Sequence, residues 1–271
     1  MNAVEKLGEK GSDSLDALGQ YGNFVASILY WTFRGPGRFA RQQLVRQMYE
    51  IGTLSVPVVM ITGAFIGAVL AVETFPQFQQ IGLEGRIGSV IIASVVKQIG
   101  PVLTAVMLAG RVGGALTAEL GTMRVTEQID AMRAMAADPI RSLAVPRFVA
   151  CLIMMPFLTI FSDALGVFGG WFIAVRLGVD SHEFWMYSQQ GIDNFTLFTG
   201  FIKSFFFGSA IASIACFKGF NAGSGAQGVG KACTEAFVAS FIAILVMNFF
   251  LAMLLNSISQ ILWGSSGSIL G

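Results

Sequence analysis

The glycine-rich segment 223–232 contains the pattern that comes closest to a known chemical site. Its letters, GSGAQGVGKA, include a GxGxxG spacing, as in dinucleotide-binding loops, and a GxxxxGK spacing, as in the phosphate-binding P-loop. A P-loop needs Ser or Thr after the lysine to hold Mg²⁺, and Ala232 stands at that position. Neither pattern follows a predicted strand or belongs to a βαβ unit. We therefore interpret the segment as a turn and predict that the chain itself binds no ATP.

The residue types that catalyse hydrolysis or bind metals are few and scattered. His182 is the single histidine, and no HExxH pattern or Ser/His/Asp set accompanies it. Cys151, Cys216 and Cys233 lie in or beside apolar stretches, and no two of them form a CxxC pair. Cysteines in such positions usually serve as small buried apolar side chains. We predict that the chain is not an enzyme and holds neither a metal ion nor another cofactor.

The composition is that of an integral membrane protein. Of the 271 residues, 54% are hydrophobic and 12% are charged, and the mean hydropathy is +0.69. Soluble domains typically carry about 25% charged residues. The net charge of +1 also argues against a surface that binds nucleic acid.

Five apolar stretches are long enough to cross a bilayer as helices, and we expect an all-α membrane protein with 1–271 as a single domain. The stretches are residues 51–72, 87–108, 145–175, 195–217 and 232–262. A span of about 20 residues reaches roughly 30 Å, which is the thickness of the hydrocarbon core. The polar segments 74–86 and 176–194 are predicted to be loops between spans.

Three further features refine this prediction. Residues 15–33 place their aromatic and aliphatic side chains on one broad face, which favours a helix in the membrane interface over a short additional span. Gly63 and Gly67 form a GxxxG pair, which indicates a close helix–helix contact. Pro101 lies inside the second span and is expected to kink it, because proline removes one backbone hydrogen bond.

The basic residues indicate how the chain is oriented. With the N-terminus in the cytoplasm, 13 of the 17 Lys and Arg residues fall on the cytoplasmic side, as the positive-inside rule requires. Only Arg86 and Arg176 fall outside, and Lys97 and Lys203 lie within spans. We therefore predict a multi-pass protein of a bacterial inner membrane with a cytoplasmic N-terminus.

The segment 109–137 is the longest amphipathic, charge-bearing stretch of the chain. Its sequence, AGRVGGALTAELGTMRVTEQIDAMRAMAA, places apolar residues at roughly helical spacing among six charged ones. In the predicted topology it lies between the second and third spans on the cytoplasmic side. We predict a helix over 115–137 that meets a soluble partner there, with a merely solvated helix face as the alternative.

A longer run that overlaps this segment carries a family resemblance. Residues 100–132, GPVLTAVMLAGRVGGALTAELGTMRVTEQIDAM, resemble the signature of MlaE-type permeases, the membrane subunits of ABC lipid transporters that work with MCE proteins. LVRQMYEIGTLSVPVV at 44–59, DPIRSLAVPRFVA at 138–150 and FIKSFFFG at 201–208 also fit that family. The resemblance extends over most of residues 30–262.

This resemblance implies a set of partners. The permease would be a homodimer with a cytoplasmic ABC ATPase, which would hold the ATP and Mg²⁺, a hexameric MCE ring on the periplasmic side and, in some systems, a STAS-domain protein. The charged helix would be the coupling helix that docks in the ATPase. The residues expected to make this contact are Glu119, Arg124, Glu127 and Asp130.

The resemblance also implies a phospholipid substrate and an apolar cavity between two protomers. Carried onto this sequence, it indicates six cavity residues: Leu70, Thr74, Phe75, Phe78, Gln98 and Lys203. The family commonly has Arg-Glu where this chain has Lys97-Gln98, so the carboxylate at position 98 is absent. Lys203 could contact a lipid phosphate as a point charge, or it could pair with Asp163 or Glu73 for structure. The sequence leaves both interpretations open.

Two other functions agree less well with the sequence. A secondary carrier needs no ATPase, but the chain shows no internal repeat and no row of intramembrane acids for protons or sodium. A pure membrane anchor has little need for Pro101 or for ionisable residues inside its spans. The expected function is transport of phospholipid between the inner membrane and the MCE carrier, in support of outer-membrane lipid asymmetry.

Overall fold

The computed structural model describes the backbone of residues 3–34, 38–191 and 194–263, and throughout these ranges the regular elements are helical. The α-helices are α1 Ala3–Arg34, α2 Arg38–Met48, α3 Val56–Gln80, α4 Ile87–Ser94, α5 Gly100–Leu108, α6 Gly114–Val125, α7 Gln128–Ala134, α8 Val145–Arg176, α9 Ser181–Gly191, α10 Asn194–Phe220 and α11 Gly225–Trp263. The single domain that the sequence predicts over residues 1–271 includes residues outside these ranges, so it stays a prediction.

Five helical segments of the described chain are long and apolar enough to cross a membrane, which confirms the five-span prediction. They are Gln42–Gln80, Glu84–Val125, Ile140–Arg176, Phe195–Phe220 and Gly225–Ile261. Each of them is longer than the matching sequence-based span. The excess arises because the helices continue beyond the apolar stretches into more polar sequence at their ends. α11 begins at Gly225, so the turn predicted over residues 223–232 is wrong for 225–232, which are helical.

The first span continues through a segment that the sequence analysis assigned to a loop. α3 runs to Gln80 and includes Pro76, so the loop prediction is wrong for residues 74–80. Pro76 cannot donate the backbone hydrogen bond that would otherwise reach Val72. The Gln77 side chain donates to the Glu73 carbonyl oxygen at 3.3 Å, so a neighbouring carbonyl gains a partner beside the proline. The residues proposed for the lipid cavity on α3 are therefore helical.

A seam of glycines joins α3 to α8, as the GxxxG pair predicted. A Cβ built on Gly63 would overlap the Ser162 carbonyl oxygen, and one on Gly67 would overlap that of Gly166. From the other side, a Cβ on Gly170 would lie 3.2 Å from the Gly67 carbonyl oxygen. The two backbones approach so closely that side chains larger than hydrogen cannot fit between them.

The second span is interrupted where the sequence analysis expected a kink. A wider π-helical turn, Val95–Ile99, separates α4 from α5, and Pro101 lies in the first turn of α5. Proline has no N–H to donate, and the turn before it already departs from the α-helical pattern, since the Gly100 N–H donates to the Val95 carbonyl oxygen five residues back. A second π-helical turn, Ala109–Gly113, leads from α5 into α6.

The predicted loop 176–194 contains a helix. Asp180 Oδ1 accepts a hydrogen bond from the His182 backbone N–H at 3.1 Å, and the Asp180 carbonyl oxygen accepts one from Phe184 at 3.0 Å. Phe184 is fully buried in an apolar cluster with Ile87 and Ile91 of α4. The loop prediction failed here because one buried aromatic side chain anchors an otherwise polar helix, α9.

Helix α1 packs along the start of the span bundle. Phe24 lies against Phe217 and Phe220 of α10 with ring centroids 5.6 and 5.7 Å apart, and Ile28 is fully buried. The guanidinium carbon of Arg141 lies 4.7 Å from the centre of the Trp31 ring. These contacts give α1 one packed face. Its position in the membrane interface stays a prediction.

Candidate functional site

The charged segment between the second and third spans forms two helices rather than one. α6 ends at Val125 and α7 begins at Gln128. Between them Glu127 adopts a left-handed backbone conformation with φ of 58°. The Glu127 backbone N–H donates to the Arg124 carbonyl oxygen at 3.1 Å, and the Glu127 carbonyl oxygen accepts from Ala131 at 2.9 Å. Glu127 therefore bonds to the end of α6 through its N–H group and to the start of α7 through its carbonyl oxygen.

A compact set of ion pairs holds this turn on its outer side. Arg124 Nη1 donates to both carboxylate oxygens of Asp130, at 2.8 and 2.7 Å. Arg133 Nη1 donates to the same carboxylate at 3.1 Å. Because these groups are about half exposed, the ion pairs orient the side chains but add little to the free energy of unfolding. We refer to Arg124, Glu127, Asp130 and Arg133 together as the α6–α7 ionic surface.

The opposite face of the α6–α7 turn is anchored in the core. Leu120 and Ile129 are fully buried, and Met123 and Met132 pack partly buried against the same apolar cluster. The turn is thus fixed to the body of the protein on one side and presents exposed charges on the other. A rigid, charged projection of this kind is suited to docking a soluble protein.

Glu119 has a different role from the other three residues that the resemblance assigned to the coupling contact. Its carboxylate accepts from Arg147 Nη2 of α8 at 2.8 Å, and the Arg147 side chain is only 5% exposed. Arg147 Nη1 also donates to the Leu143 carbonyl oxygen at 2.8 Å. Glu119 therefore neutralises a buried cation where α6 meets α8, whereas Arg124, Glu127 and Asp130 lie together at the turn.

We expect Glu119→Ala to destabilise the protein by about 1–2 kcal/mol, because it leaves the buried Arg147 guanidinium without its counter-charge, while the 45% exposure of Glu119 lets solvent screen part of the effect. The thermal unfolding temperature of the purified chain in detergent measures the effect. The double variant Glu119→Leu/Arg147→Met removes both charges and should recover most of the stability. Equal unfolding temperatures for Glu119→Ala and the unaltered chain would show that the pair has no structural role.

The intramembrane lysine of the fourth span lies against the broken second span. Lys203 of α10 is 1% exposed, and its Nζ donates to Gln98 Oε1 and, at 3.1 Å, to the Lys97 carbonyl oxygen. Both acceptors belong to the π-helical turn Val95–Ile99, whose wider backbone presents a carbonyl to the ammonium group. Neither Asp163 nor Glu73 pairs with Lys203, so its structural partners are not the two that the sequence suggested.

The other four proposed cavity residues lie on α3. Leu70 and Phe75 pack against the apolar cluster that α4, α8 and α9 share, while Thr74 and Phe78 are half-buried. α3 packs mainly against α8. The structure therefore brings Gln98 and Lys203 into direct contact and leaves the four α3 residues as a separate group on the last turns of their helix.

Sequence reasoning missed a polar cavity of about 350 Å³ beneath α6. Arg111, Glu50 and Glu119 line it. Arg111 also donates to the Ser55 hydroxyl, and Glu50 pairs with Arg46 at 2.9 Å. The signal for it was Arg111, a charge at the end of an apolar span. The partner of Arg111, Ser55, lies 56 residues away in sequence, and local patterns do not reveal such a pairing.

Comparison with known families identifies this fold. The family model described as Permease MlaE matches residues 44–254. The chain belongs to the MlaE permease family. The match includes every candidate residue described above, from Leu70 to Lys203, and all five span-length helices in large part.

Three individual proteins align with 80% or more of this chain. A probable ABC transporter permease protein of Rickettsia bellii is 36% identical over 92% of this chain and 96% of its own length. The intermembrane phospholipid transport system permease protein MlaE of Haemophilus influenzae is 34% identical over 93% of this chain and 96% of its own. The chloroplastic protein TRIGALACTOSYLDIACYLGLYCEROL 1 of Arabidopsis thaliana is 31% identical over 80% of this chain and 62% of its own.

Proposed function

We propose that the chain is the permease subunit of an ABC transporter that moves phospholipid between the inner membrane and a periplasmic MCE carrier. The observation that carries the proposal is the near full-length similarity to a phospholipid transport permease, combined with the α6–α7 ionic surface. An exposed charged projection between two spans supplies a docking element for a soluble ATPase. The chain itself would contribute no catalytic group.

The proposed assembly contains two copies of this chain, a cytoplasmic ABC ATPase and a hexameric MCE protein, with a STAS-domain protein as an optional partner. The ATPase would bind ATP and Mg²⁺. The N-terminus and the α6–α7 turn would lie in the cytoplasm, because that orientation places most Lys and Arg residues inside.

Lys203 is the residue we propose for contact with the lipid phosphate. An ammonium group enclosed by spans has a large desolvation cost, and proteins retain such groups mainly for function. Its present acceptors, an amide oxygen and a backbone carbonyl, are neutral, so its charge is not compensated by an ion pair. A phosphate reaching this site would supply that counter-charge. The acyl chains would lie along the apolar residues Leu70, Phe75 and Phe78 of α3.

We expect Lys203→Met to lower phospholipid transport by at least about tenfold, the factor that corresponds to 1.4 kcal/mol of lost binding or transition-state energy. The fold should survive, because methionine has a similar volume and the substitution removes a buried charge, although Gln98 Oε1 loses its donor at a cost of about 1–3 kcal/mol. Transfer of a fluorescent phospholipid out of reconstituted vesicles measures the effect.

Lys218→Met is the matched control for this substitution, because it removes another lysine from the same helix. Lys218 lies outside the proposed lipid path and pairs with Glu235 at 2.8 Å. Transport by Lys203→Met at the level of this control would rule out a direct role for the ammonium group in lipid handling.

Affinity purification from native membranes in mild detergent tests the proposed assembly. We expect mass spectrometry to identify an ABC ATPase at a ratio close to one per chain, together with an MCE-domain protein. Recovery of a stable chain with neither partner would contradict the proposal and favour a secondary carrier that works without an ATPase.

A further inference from the structure

A cavity lies between the π-helical turn Val95–Ile99, α8 and α10, and Lys203 is not among the residues that line it. Its volume is about 490 Å³, which is within the range of pockets that hold small-molecule ligands. Its walls are largely apolar, and the described residues that line it are Val96, Pro156, Thr159, Ile160, Asp163, Leu197, Phe198 and Phe201.

The mouth of this cavity opens on the outer surface of the span bundle. Ile160, Leu197, Phe198 and Phe201 are each about half exposed, whereas Val96 and Thr159 are buried at its base. All four rim residues belong to span-length helices. An occupant can therefore enter sideways from the hydrocarbon region of the bilayer, without passing through water.

The cavity contains one polar group whose bonding is incomplete. Asp163 Oδ1 is buried and has no hydrogen-bond partner in the described chain. The neighbouring polar side chain, Thr159, already donates to the Met155 carbonyl oxygen at 3.0 Å. A Cβ built on Gly100 would overlap Asp163 Oδ1, so only glycine at that position leaves room for the carboxyl group. An unsatisfied buried polar group costs free energy that a ligand donor can recover.

The chemistry of the lining decides which ligand fits. Asp163 is the one described lining residue that can carry a charge, and it is an acid, so a phosphate headgroup would find no cation there. A hydroxyl group in hydrocarbon also lacks a partner, and pairing it with the carboxyl satisfies both groups without bringing a charge to membrane depth. The ligand must otherwise be apolar, because the walls offer little else to bond.

We infer that this cavity is a lateral binding site for a neutral, hydroxyl-bearing amphiphile, such as a long-chain alcohol or a diacylglycerol, whose hydroxyl group hydrogen-bonds to Asp163. The site is chemically distinct from the phospholipid path at Lys203, and it does not depend on the proposed transport function. Its occupant would sit between the broken second span and the third and fourth spans.

Photoaffinity labelling of the full chain in phospholipid vesicles tests this inference. The probes are a long-chain alcohol with a diazirine in its chain and the corresponding methyl ether, which has the same apolar body but no O–H donor. We expect the alcohol to label the peptide around Phe198 and Phe201 about tenfold more than the ether, since one buried hydrogen bond is worth about 1.4 kcal/mol. Unlabelled dioleoylglycerol should compete, and dioleoylphosphatidylglycerol should not.

Variants at one position separate hydroxyl recognition from simple partitioning. Asp163→Leu should remove the preference for the alcohol, whereas Asp163→Asn keeps an oxygen acceptor and should retain it. Phe172→Leu, a lipid-exposed substitution on the same helix away from the cavity, should behave like the unaltered chain. Equal labelling of the unaltered chain by alcohol and ether, or no labelling because a second copy covers the mouth, would overturn the inference.

Discussion

Gly67→Val is expected to prevent the chain from accumulating in membranes. The new side chain would occupy the position of the Gly166 carbonyl oxygen, which belongs to the backbone of α8 and cannot rotate away. Overpacking of a core typically costs about 1–3 kcal/mol when side chains can adjust. At this contact the two helices must separate, so the glycine seam between α3 and α8 would be lost along its length.

The amount of full-length chain in the membrane fraction, followed by size-exclusion chromatography in detergent, measures this effect. Gly230→Ala is the matched control, because a Cβ at that helical glycine meets no atom within 4 Å. Gly67→Ala should be intermediate. A monodisperse Gly67→Val protein at normal yield would show that α3 and α8 do not pack as described.

Glu127→Lys is expected to separate the chain from its ATPase without unfolding it. The side chain is exposed at the α6–α7 turn and forms no part of the Arg124–Asp130 ion pair. Glutamate and lysine adopt the left-handed backbone conformation equally poorly, so the substitution does not change the free-energy cost of that conformation. Reversing a charge at an interface places like charges together, and a penalty of 1.4 kcal/mol or more lowers affinity by at least about tenfold.

Two controls accompany this substitution. Glu127→Asn removes the charge and suits the left-handed conformation better, so its effect on ATPase recovery should be smaller and its thermal stability should be no lower. Glu84→Lys makes the same charge reversal at the opposite end of the second span, where the ATPase is not expected. Normal ATPase recovery with Glu127→Lys would remove this residue from the proposed coupling contact.

The number of spans and their approximate positions follow from composition and hydropathy, because a bilayer requires about 20 apolar residues per helix. A close-packing face on the first span also follows from a local pattern, the GxxxG pair, since the spacing itself places both glycines on one helix face. That α8 is the partner of this face comes from the structure alone. Features of this kind depend on residues close together in the chain and can therefore be read from it.

The parts that sequence reasoning missed depend on distant partners. The turn at Glu127 breaks a helix that its amphipathic pattern predicted to be continuous. The pairing of Glu119 with Arg147 joins two helices across a predicted connection, and it explains why one of four similar charges has a structural role. Lys203 was identified as important, but its actual acceptors on the π-helical turn could not be predicted from hydropathy.

The most direct measurement of the central claim is ATP-dependent transfer of a fluorescent phospholipid by the native complex reconstituted in vesicles. The account predicts that transfer requires ATP hydrolysis, that a non-hydrolysable ATP analogue does not support it, and that Glu127→Lys abolishes it. Transfer at the same rate without ATP, driven instead by a proton or sodium gradient, would contradict the assignment of this chain as the permease of an ABC transporter.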